Sequence, residues 1–219
     1  MELLQLTDFL SSEEDKEVLK LLCSFAEKKR NKILCIDLET TTYKPKQAEI
    51  LQVSMINGLG EVVFSSYCKP VNTKEWKSAE EINGISPDDV KDCCSFLNYV
   101  EKIQQIIKDY DVIVTYNGQT FDIPILEDYG ISFEDKKHYD VCAHYAQYHG
   151  EILEGSEKGV TYRMKKLEYC ANEFQYMPGE SPKLHNALCD TEATLYCFYC
   201  LLQKQCEQYQ KNSLKGGRN

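Results

Sequence analysis

The sequence lacks any long apolar run. No stretch of it approaches the roughly 18–20 apolar residues that a membrane-spanning helix needs. The opening residues, MELLQLTDFLSSEEDKE, also lack a basic segment followed by an apolar one, so they do not read as a secretory signal. From these absences we expect no membrane partner and a cytoplasmic location.

Basic charge is scarce as well. The chain has 25 Lys and Arg against 35 Asp and Glu, which gives a formal net charge of −10 at pH 7. This balance argues against a broad electropositive surface for duplex nucleic acid. It leaves room for an enzyme that grips a few phosphates through bound metal ions, because the ions supply the local positive charge.

Cysteine, in contrast, is abundant. The 11 cysteines are odd in number and scattered, and several lie in apolar segments. We therefore expect reduced thiols rather than a disulfide framework. Cys197 and Cys200 have CxxC spacing, but no second pair completes a zinc set, so packing is the favoured role.

The order of the predicted elements indicates an α/β fold. Strands are predicted over 33–39, 49–56, 61–67 and 111–117, with the second and third joined as a hairpin by the turn NGLG. Helices are predicted over 86–110, 161–174 and about 186–208, with a short helix ending at Gly130. The expected architecture is a mixed central sheet, an antiparallel hairpin plus parallel strands, flanked by helices.

These elements also predict a domain organisation. Residues 1–31 are expected to form a helical N-terminal extension, 32–208 the globular domain, and 209–219 a disordered tail.

Two carboxylates leave the end of the first predicted strand on one side. Asp37 and Glu39 are two residues apart, so on a strand they share a face about 6.6 Å apart along the chain. They repel each other and lose hydration, and a divalent cation such as magnesium offsets both penalties. The alternative is an exposed acidic pair without function.

A third acid follows the second buried strand. Asn117 and Gly118 mark a turn, and Asp122 opens a helix, where the dipole favours an acid. Sites gather at the carboxyl ends of strands in open α/β sheets. Asp122 would therefore lie beside Asp37 if the two strands are neighbours. The alternative is a plain helix cap.

The segment KLHNALCD, residues 183–190, places one of only 4 histidines just before the last helix. If both were helical, His185 and Asp190 would point about 140° apart. If Asn186 caps the helix, His185 lies on the incoming loop, Asp190 lies on the second turn, and both can converge on one point. The alternative is a surface histidine and a solvated acid.

Taken in order, these motifs resemble those of the DnaQ-like 3′–5′ exonucleases, in the histidine version of the DEDD class (DEDDh). The resemblance rests on DLETT (37–41), on Asn117 with Phe121 and Asp122, and on HNALCDTEAT (185–194), and it spans about residues 32–205. The fold that it implies is ribonuclease-H-like.

The segment INGIS (82–86) resembles the substrate loop of the same family. Two positions depart from the family's pattern. Thr42 stands where glycine is frequent, and Asn83 stands where histidine is common. Both departures concern the region that would contact substrate and leave the acidic motifs intact.

The resemblance implies a two-metal phosphodiesterase. It implies that Asp37, Glu39, Asp122 and Asp190 hold two Mg²⁺ or Mn²⁺ ions, and that His185 is the general base. It also implies substrate contacts, with Thr40 and Thr41 binding the 3′ end through their backbone. The substrate-binding residues so implied are Leu38, Thr40, Thr41, Asn83, Ile85, Asn117 and Phe121.

Other residues near the motifs have two interpretations. Arg163, Lys165 and Lys166 either contact the phosphates of the bound strand or form a solvated helix face. Asp140, at a predicted strand end, is interpreted as structural.

Three functions fit these features. The first is a DNA exonuclease that proofreads or trims a single-stranded or frayed 3′ end in replication or repair, with a polymerase complex as its partner, and releases nucleoside 5′-monophosphates. The second is an exonuclease that degrades RNA or oligoribonucleotides. The third is a binding module with the nuclease fold and no turnover. A metal-free acidic scaffold, which would require the constellation to be chance, is a fourth interpretation.

Overall fold

The structure is a computed structural model that describes residues 2–3, 30–153, 161–177 and 186–216. Within these residues the centre is one sheet. Its strands are β1 (Glu2–Leu3), β2 (Ile33–Thr40), β3 (Ile50–Asn57), β4 (Val62–Tyr67), β5 (Val112–Thr115) and β6 (Lys137–Asp140). They lie in the order β1-β6-β5-β2-β3-β4.

Seven α-helices and three short 3-10 turns accompany the sheet in the described residues. The helices are α1 (Lys77–Asn83), α2 (Pro87–Val90), α3 (Val100–Lys108), α4 (Asp122–Asp128), α5 (Val141–His149), α6 (Leu167–Glu173) and α7 (Ala187–Gly216). The 3-10 turns are Arg30–Lys32, Pro45–Gln47 and Phe96–Asn98.

The pairing confirms the mixed sheet. β1, β6, β5 and β2 run parallel, β3 is antiparallel to β2, and β4 is antiparallel to β3. The predicted hairpin is therefore present, and Gly60 in its turn has φ of 85°. Because β2 pairs directly with β5, the two segments that end in acidic motifs are neighbours, as the sequence prediction required.

The N-terminal extension differs from its prediction where the structure describes it. Residues 2–3 form β1, which pairs in parallel with β6, so this short piece is a strand and not helix. The predicted helix over the rest of residues 1–29 lies outside the described residues.

Alternating side chains of β2 build two separate cores. Ile33 and Cys35 pack on one side, against α5, α6 and α7. Leu34, Ile36 and Leu38 pack on the other side, against α3 and α4. Because side chains alternate along a strand, the next two residues on the α7 side are the carboxylates of the DLETT motif.

The predicted helix over 86–110 is interrupted. α2 ends at Val90, which packs in a small cluster with Trp76, whereas Phe96 packs in the core under α3. The chain turns between them, and the Lys69 N–H donates to the Cys94 carbonyl at 3.0 Å. One continuous helix could not deliver these two side chains to different cores.

Two other helix boundaries also differ from prediction. α6 begins at Leu167, because the chain before it is extended and Tyr162 forms an antiparallel bridge with Ile152. α7 continues to Gly216, so most of the predicted disordered tail over 209–219 is helical.

The buried thiols Cys35, Cys170 and Cys197 are not in disulfides, which agrees with the expectation from the cysteine pattern. No helix in the described part of the chain combines the length and apolar character needed to cross a bilayer.

Candidate active site

Three carboxylates from distant parts of the chain meet where β2 ends. Asp37 and Glu39 lie on the α7 side of β2, and Asp190 extends from the first turn of α7, earlier than the second turn that the sequence indicated. One oxygen from each of the three carboxylates lies within 4.8 Å of the others. The sheet places the first two acids, and the packing of α7 across the sheet brings in the third.

Asp122 lies next to this group. It is the first residue of α4 and is 4% exposed. Its Oδ1 accepts a hydrogen bond from the backbone N–H of Leu38 at 3.1 Å. Leu38 lies between Asp37 and Glu39 in the sequence. The side chain therefore turns to β2, and the role of a plain helix cap does not describe it.

Asp140 fixes the loop that leads to Asp122. Its carboxylate is 4% exposed and accepts the N–H groups of Asn117 at 2.9 Å and Gln119 at 3.1 Å. The same carboxylate caps α5 by accepting from Cys142 at 3.0 Å. All of these contacts are to backbone, which agrees with the structural interpretation of this aspartate.

Gly118 is required in this loop for a reason of space. A Cβ at this position would lie 2.5 Å from the Oγ1 and Cβ of Thr115. The turn after β5 can therefore pack this closely only with glycine.

Asn186 caps α7 as predicted. Its Oδ1 accepts the Leu188 N–H at 3.1 Å, and its carbonyl accepts the Asp190 N–H at 3.0 Å. His185, the predicted general base, lies outside the described residues. The cap fixes the start of the helix immediately after that position.

The acidic group is electrostatically unfavourable. Burial, followed by the charges of Asp122, Asp190 and Glu39, holds the pKa of Asp37 well above its ordinary value. Burial, and next the charge of Asp190, raises the pKa of Glu39 to about 8. Burial raises the pKa of Asp122 to about 7, against the opposing effect of its backbone hydrogen bonds.

This donor set fits a divalent cation. Carboxylate oxygens are the ligands that Mg²⁺ and Mn²⁺ prefer. Three of them lie close enough together to share an ion, and a cation would offset both the repulsion and the desolvation that raise these pKa values. The sequence prediction of an acidic metal site at this strand end is thus supported by the geometry.

Two cavities border the acidic group. The first, about 590 Å³, includes Glu39 in its lining, and the second, about 580 Å³, includes Asp190. Ile82 lines both cavities, so they adjoin. A chain molecule lying across both would pass the carboxylates.

Most of the substrate residues implied by the resemblance lie at these cavities. Five line the first cavity (Leu38, Thr40, Thr41, Asn83, Phe121), and Asn117 lines the second. Ile85 does not line either one: it is 4% exposed and packs in a core cluster with Trp76.

The backbone N–H of Thr41 is engaged within the protein. Its N–H donates to the Glu49 carbonyl at 2.9 Å, and its Oγ1 accepts the Glu49 N–H at 3.1 Å. Asn83 also acts within the protein, because its Nδ2 donates to the Thr40 carbonyl at 3.3 Å. It therefore holds α1 against the end of β2.

Several cavity residues have no clear signal in the sequence. Tyr43 and Lys44 follow the first motif, and Tyr43 is 76% exposed in the lining of the first cavity. Lys77 and Ile82 come from α1, and Met164 lines the second cavity. The one hint in the sequence was Tyr43, an aromatic residue two positions after the DLETT motif.

The basic segment YRMKK is extended and partly paired. Arg163 and Lys165 both form ion pairs with Glu151. Lys166 is the N-cap residue of α6. The prediction of a solvated helix face is wrong, because residues 161–166 are not helical. Lys165 and Lys166 nevertheless line the second cavity.

An acidic cluster at the carboxyl edge of a ribonuclease-H-like sheet defines a class of metal-dependent nucleases, and comparison with known proteins agrees. The sequence model of the exonuclease family RNase_T matches residues 34–198. The chain belongs to this exonuclease family.

Individual relatives share this architecture. RNA exonuclease 4 of Candida glabrata is 26% identical over 186 residues, covering 84% of this chain and 65% of that protein. Product-bound exonuclease I superposes with a TM-score of 0.60 at 19% identity, covering 82% of this chain and 45% of that one. E. coli exonuclease I with a dA16 oligonucleotide gives 0.58 at 20% identity, covering 85% and 43%.

The chain therefore spans less than two thirds of the length of each of these relatives. At these identities the likeness to exonuclease I supports the fold.

Proposed function

We propose that this protein is a metal-dependent 3′–5′ exonuclease that removes nucleoside 5′-monophosphates from a single-stranded or frayed 3′ end. The observation that carries the proposal is the meeting of Asp37, Glu39 and Asp190 within 4.8 Å between two adjoining cavities. Family membership supports the same activity.

Asp37, Glu39, Asp122 and Asp190 would hold two divalent ions, Mg²⁺ or Mn²⁺. When bound, such ions lower the pKa of a coordinated water and stabilise charge on the attacking and leaving oxygens of a phosphodiester. In the proposal His185 accepts the proton of the attacking water. Its ordinary pKa of about 6.5 suits a base near neutral pH.

The chain's own residues would position the strand. Leu38, Phe121 and Tyr43 give the first cavity apolar and aromatic surface, which accepts any base by stacking. Lys44 and Lys77, in the lining of the same cavity, provide positive charge in an acidic protein. The terminal nucleotide would lie there, and the strand would leave through the second cavity past Lys166.

DNA and RNA are both candidate substrates. The exonuclease I complexes hold DNA oligonucleotides, whereas the sequence relative from Candida glabrata is named an RNA exonuclease. Because the sequence relative carries more weight than a likeness of fold, RNA is a full second candidate. Discrimination depends on contacts to the 2′-hydroxyl. A polymerase partner gains no support from the comparisons and stays a prediction.

The test uses 5′-labelled single strands of DNA and RNA with the same sequence, in magnesium, in manganese and in chelator. We expect a ladder that shortens from the 3′ end, and its loss in chelator, in Asp37→Ala and in His185→Ala. Asp128→Ala is the matched control, because this exposed aspartate ends the helix that Asp122 begins. It should leave the ladder unchanged.

The outcome on the two strands assigns the substrate. Shortening of DNA alone supports the proofreading or trimming reading, and shortening of RNA alone supports the exoribonuclease. A protein that binds metal and yields no ladder on either strand would instead be a binding module, and an undiminished ladder from Asp37→Ala would refute the assigned site.

A further inference from the structure

Gln52 is a buried polar residue of β3 whose side chain reaches the start of α7. It is 3% exposed, and it lies directly opposite Glu39 in the β2–β3 register. Paired residues on adjacent strands share a face of the sheet, so Gln52 faces the same side as the acidic group.

Both ends of its amide contact the cap of α7. Oε1 accepts the Ala187 N–H at 3.1 Å, and Nε2 donates to Asn186 Oδ1 at 3.4 Å. The first N–H groups of a helix have no partner within the helix, so Gln52 supplies an acceptor that the helix itself lacks. Asn186 is held from its other side as well, because its Nδ2 donates to the Tyr67 hydroxyl at 3.3 Å.

The position of Asp190 follows from this contact. Its N–H donates to the Asn186 carbonyl at 3.0 Å, so the turn that bears its carboxylate is built directly on the capped residue. Another contact between β2 and the first turns of α7, from Cys35 Sγ to the Thr191 carbonyl at 3.5 Å, involves a weak thiol donor. Gln52 therefore provides the stronger of these two polar connections.

We propose that Gln52 is a positioning residue for the metal site, and that the hydrogen bond it accepts from Ala187 holds Asp190 within reach of Asp37 and Glu39. The inference rests on the proposed function for its kinetic consequence, and on the acidic cluster alone for its effect on metal binding. Residues that support metal ligands typically contribute 10–100-fold to metal affinity or activity.

Three variants test the proposal in the full chain. Gln52→Leu removes both hydrogen bonds at similar volume, whereas Tyr67→Phe removes only the outer contact of Asn186 and leaves the hydrogen bond between Gln52 and Ala187 in place. Gln104→Leu is the matched control. Gln104 likewise donates to a backbone carbonyl and accepts a backbone N–H, both of Ser132, at 3.1 and 2.7 Å, but on α3, on the other side of the sheet.

The first readout is the dissociation constant for Mn²⁺, measured by calorimetry without substrate on protein shown to be folded by circular dichroism. We expect Gln52→Leu to weaken Mn²⁺ binding about 10-fold or more, Tyr67→Phe to stay within about threefold of wild type, and Gln104→Leu to match wild type. A residue that only stabilises the fold would lower the unfolding temperature without changing this constant.

The second readout is the split between kcat and KM on a single-stranded oligonucleotide. Gln52→Leu should lower kcat about 10–100-fold and change KM little, because the strand-binding cavities are intact. Wild-type Mn²⁺ affinity in folded Gln52→Leu overturns the inference, and so does an equal loss in Tyr67→Phe. If wild type binds Mn²⁺ but degrades neither DNA nor RNA, the proposed function fails while the Mn²⁺ result still decides the inference.

Discussion

Two groups of carboxylates in this protein have opposite surroundings. Asp140 and Glu49 are surrounded by backbone donors: Asp140 accepts from Asn117, Gln119 and Cys142 (2.9–3.1 Å), and Glu49 accepts from three successive N–H groups of the loop at 71–73. Asp37 and Glu39 instead face each other and Asp190.

The pKa values of Glu49 and Glu39 shift in opposite directions. Burial by itself would raise the pKa of Glu49, but the hydrogen bonds from Thr73, Asn72 and Val71 outweigh it and lower the pKa. For Glu39 burial and the neighbouring acids act together and raise it to about 8. The acids that accept backbone hydrogen bonds stabilise the fold. The acids that repel each other mark the site, where their repulsion lowers the stability of the metal-free protein and favours metal binding.

Among the variants that test this difference between the two groups, Asp140→Ala should have the largest effect on stability. It leaves buried N–H groups of the 117–119 loop and of α5 without their acceptor, and each such loss costs about 1–3 kcal/mol. We therefore expect the free energy of unfolding in urea to fall by about 3 kcal/mol, with Asp128→Ala as the neutral control. A loss below about 1 kcal/mol would contradict the structural role of this carboxylate.

Asp37→Asn should raise, and not lower, the free energy of unfolding of the metal-free protein. An acid whose pKa is raised by folding keeps its proton in the native state where the unfolded chain has released it, so it makes stability fall as pH rises. Burial raises the pKa of Asp37 well above its ordinary value, and the charges of Asp122, Asp190 and Glu39 raise it further, so this cost grows as the pH rises above that ordinary value. Asparagine has no proton for the unfolded chain to release, so the variant should be more stable than wild type at pH 8 in chelator by about 1–2 kcal/mol.

Thermal unfolding at pH 5 and pH 8, with and without Mn²⁺, measures this effect. Wild type should gain stability from Mn²⁺ at pH 8, and Asp37→Asn should gain much less. A metal-free Asp37→Asn protein that is less stable than wild type at pH 8 would show that the acidic group is not under repulsion.

Glu49→Gln should lower the free energy of unfolding by less than Asp140→Ala does. Its effect should depend on pH in the direction opposite to that of Asp37→Asn. Folding lowers the pKa of Glu49 below its ordinary 4.5, so its stabilising effect is present above that pH and is lost as the pH falls through the lower folded value. The variant should lose about 1 kcal/mol at neutral pH. Urea unfolding at pH 7 and at about pH 3 should show the difference from wild type shrinking in acid.

The smallest effect concerns a third kind of acid, one paired with cations at the surface. Glu151 contacts Arg163 and Lys165, and the Arg163 side chain is 54% exposed. Exposed ion pairs contribute little to stability, so Arg163→Ala should leave the unfolding midpoint unchanged within error. A clear drop that disappears in 1 M salt would mean that this pair contributes more to the fold than its exposure indicates.

The strands β2, β3 and β4 were predictable because their pattern is local. The apolar residues of β2, and of the hairpin of β3 and β4, have the composition and turn of strands, and the structure has them within a residue or two. The helix boundaries were less predictable. The break after Val90 depends on which core each apolar side chain enters, and residues distant in sequence decide that.

The site was predictable to a similar degree. Motif order identified the acids, and the structure brings Asp37, Glu39 and Asp190 together with Asp122 beside them. The placement of Ile85 in the core, and the use of the Thr41 N–H by Glu49, were not predictable. Isoleucine and threonine occur both at buried positions and at positions that contact a substrate, so the residue type does not distinguish the two.

The sequence by itself determined the chemistry of the site, because carboxylates in a strand–turn–helix order specify which atoms are available to a metal. The tertiary structure decided their arrangement. Only the packing of α7 across the sheet brings Asp190 to β2, and only the fold aims Gln52 at the cap of α7. Such contacts join residues more than a hundred positions apart, and no local pattern of side chains encodes the distance between them.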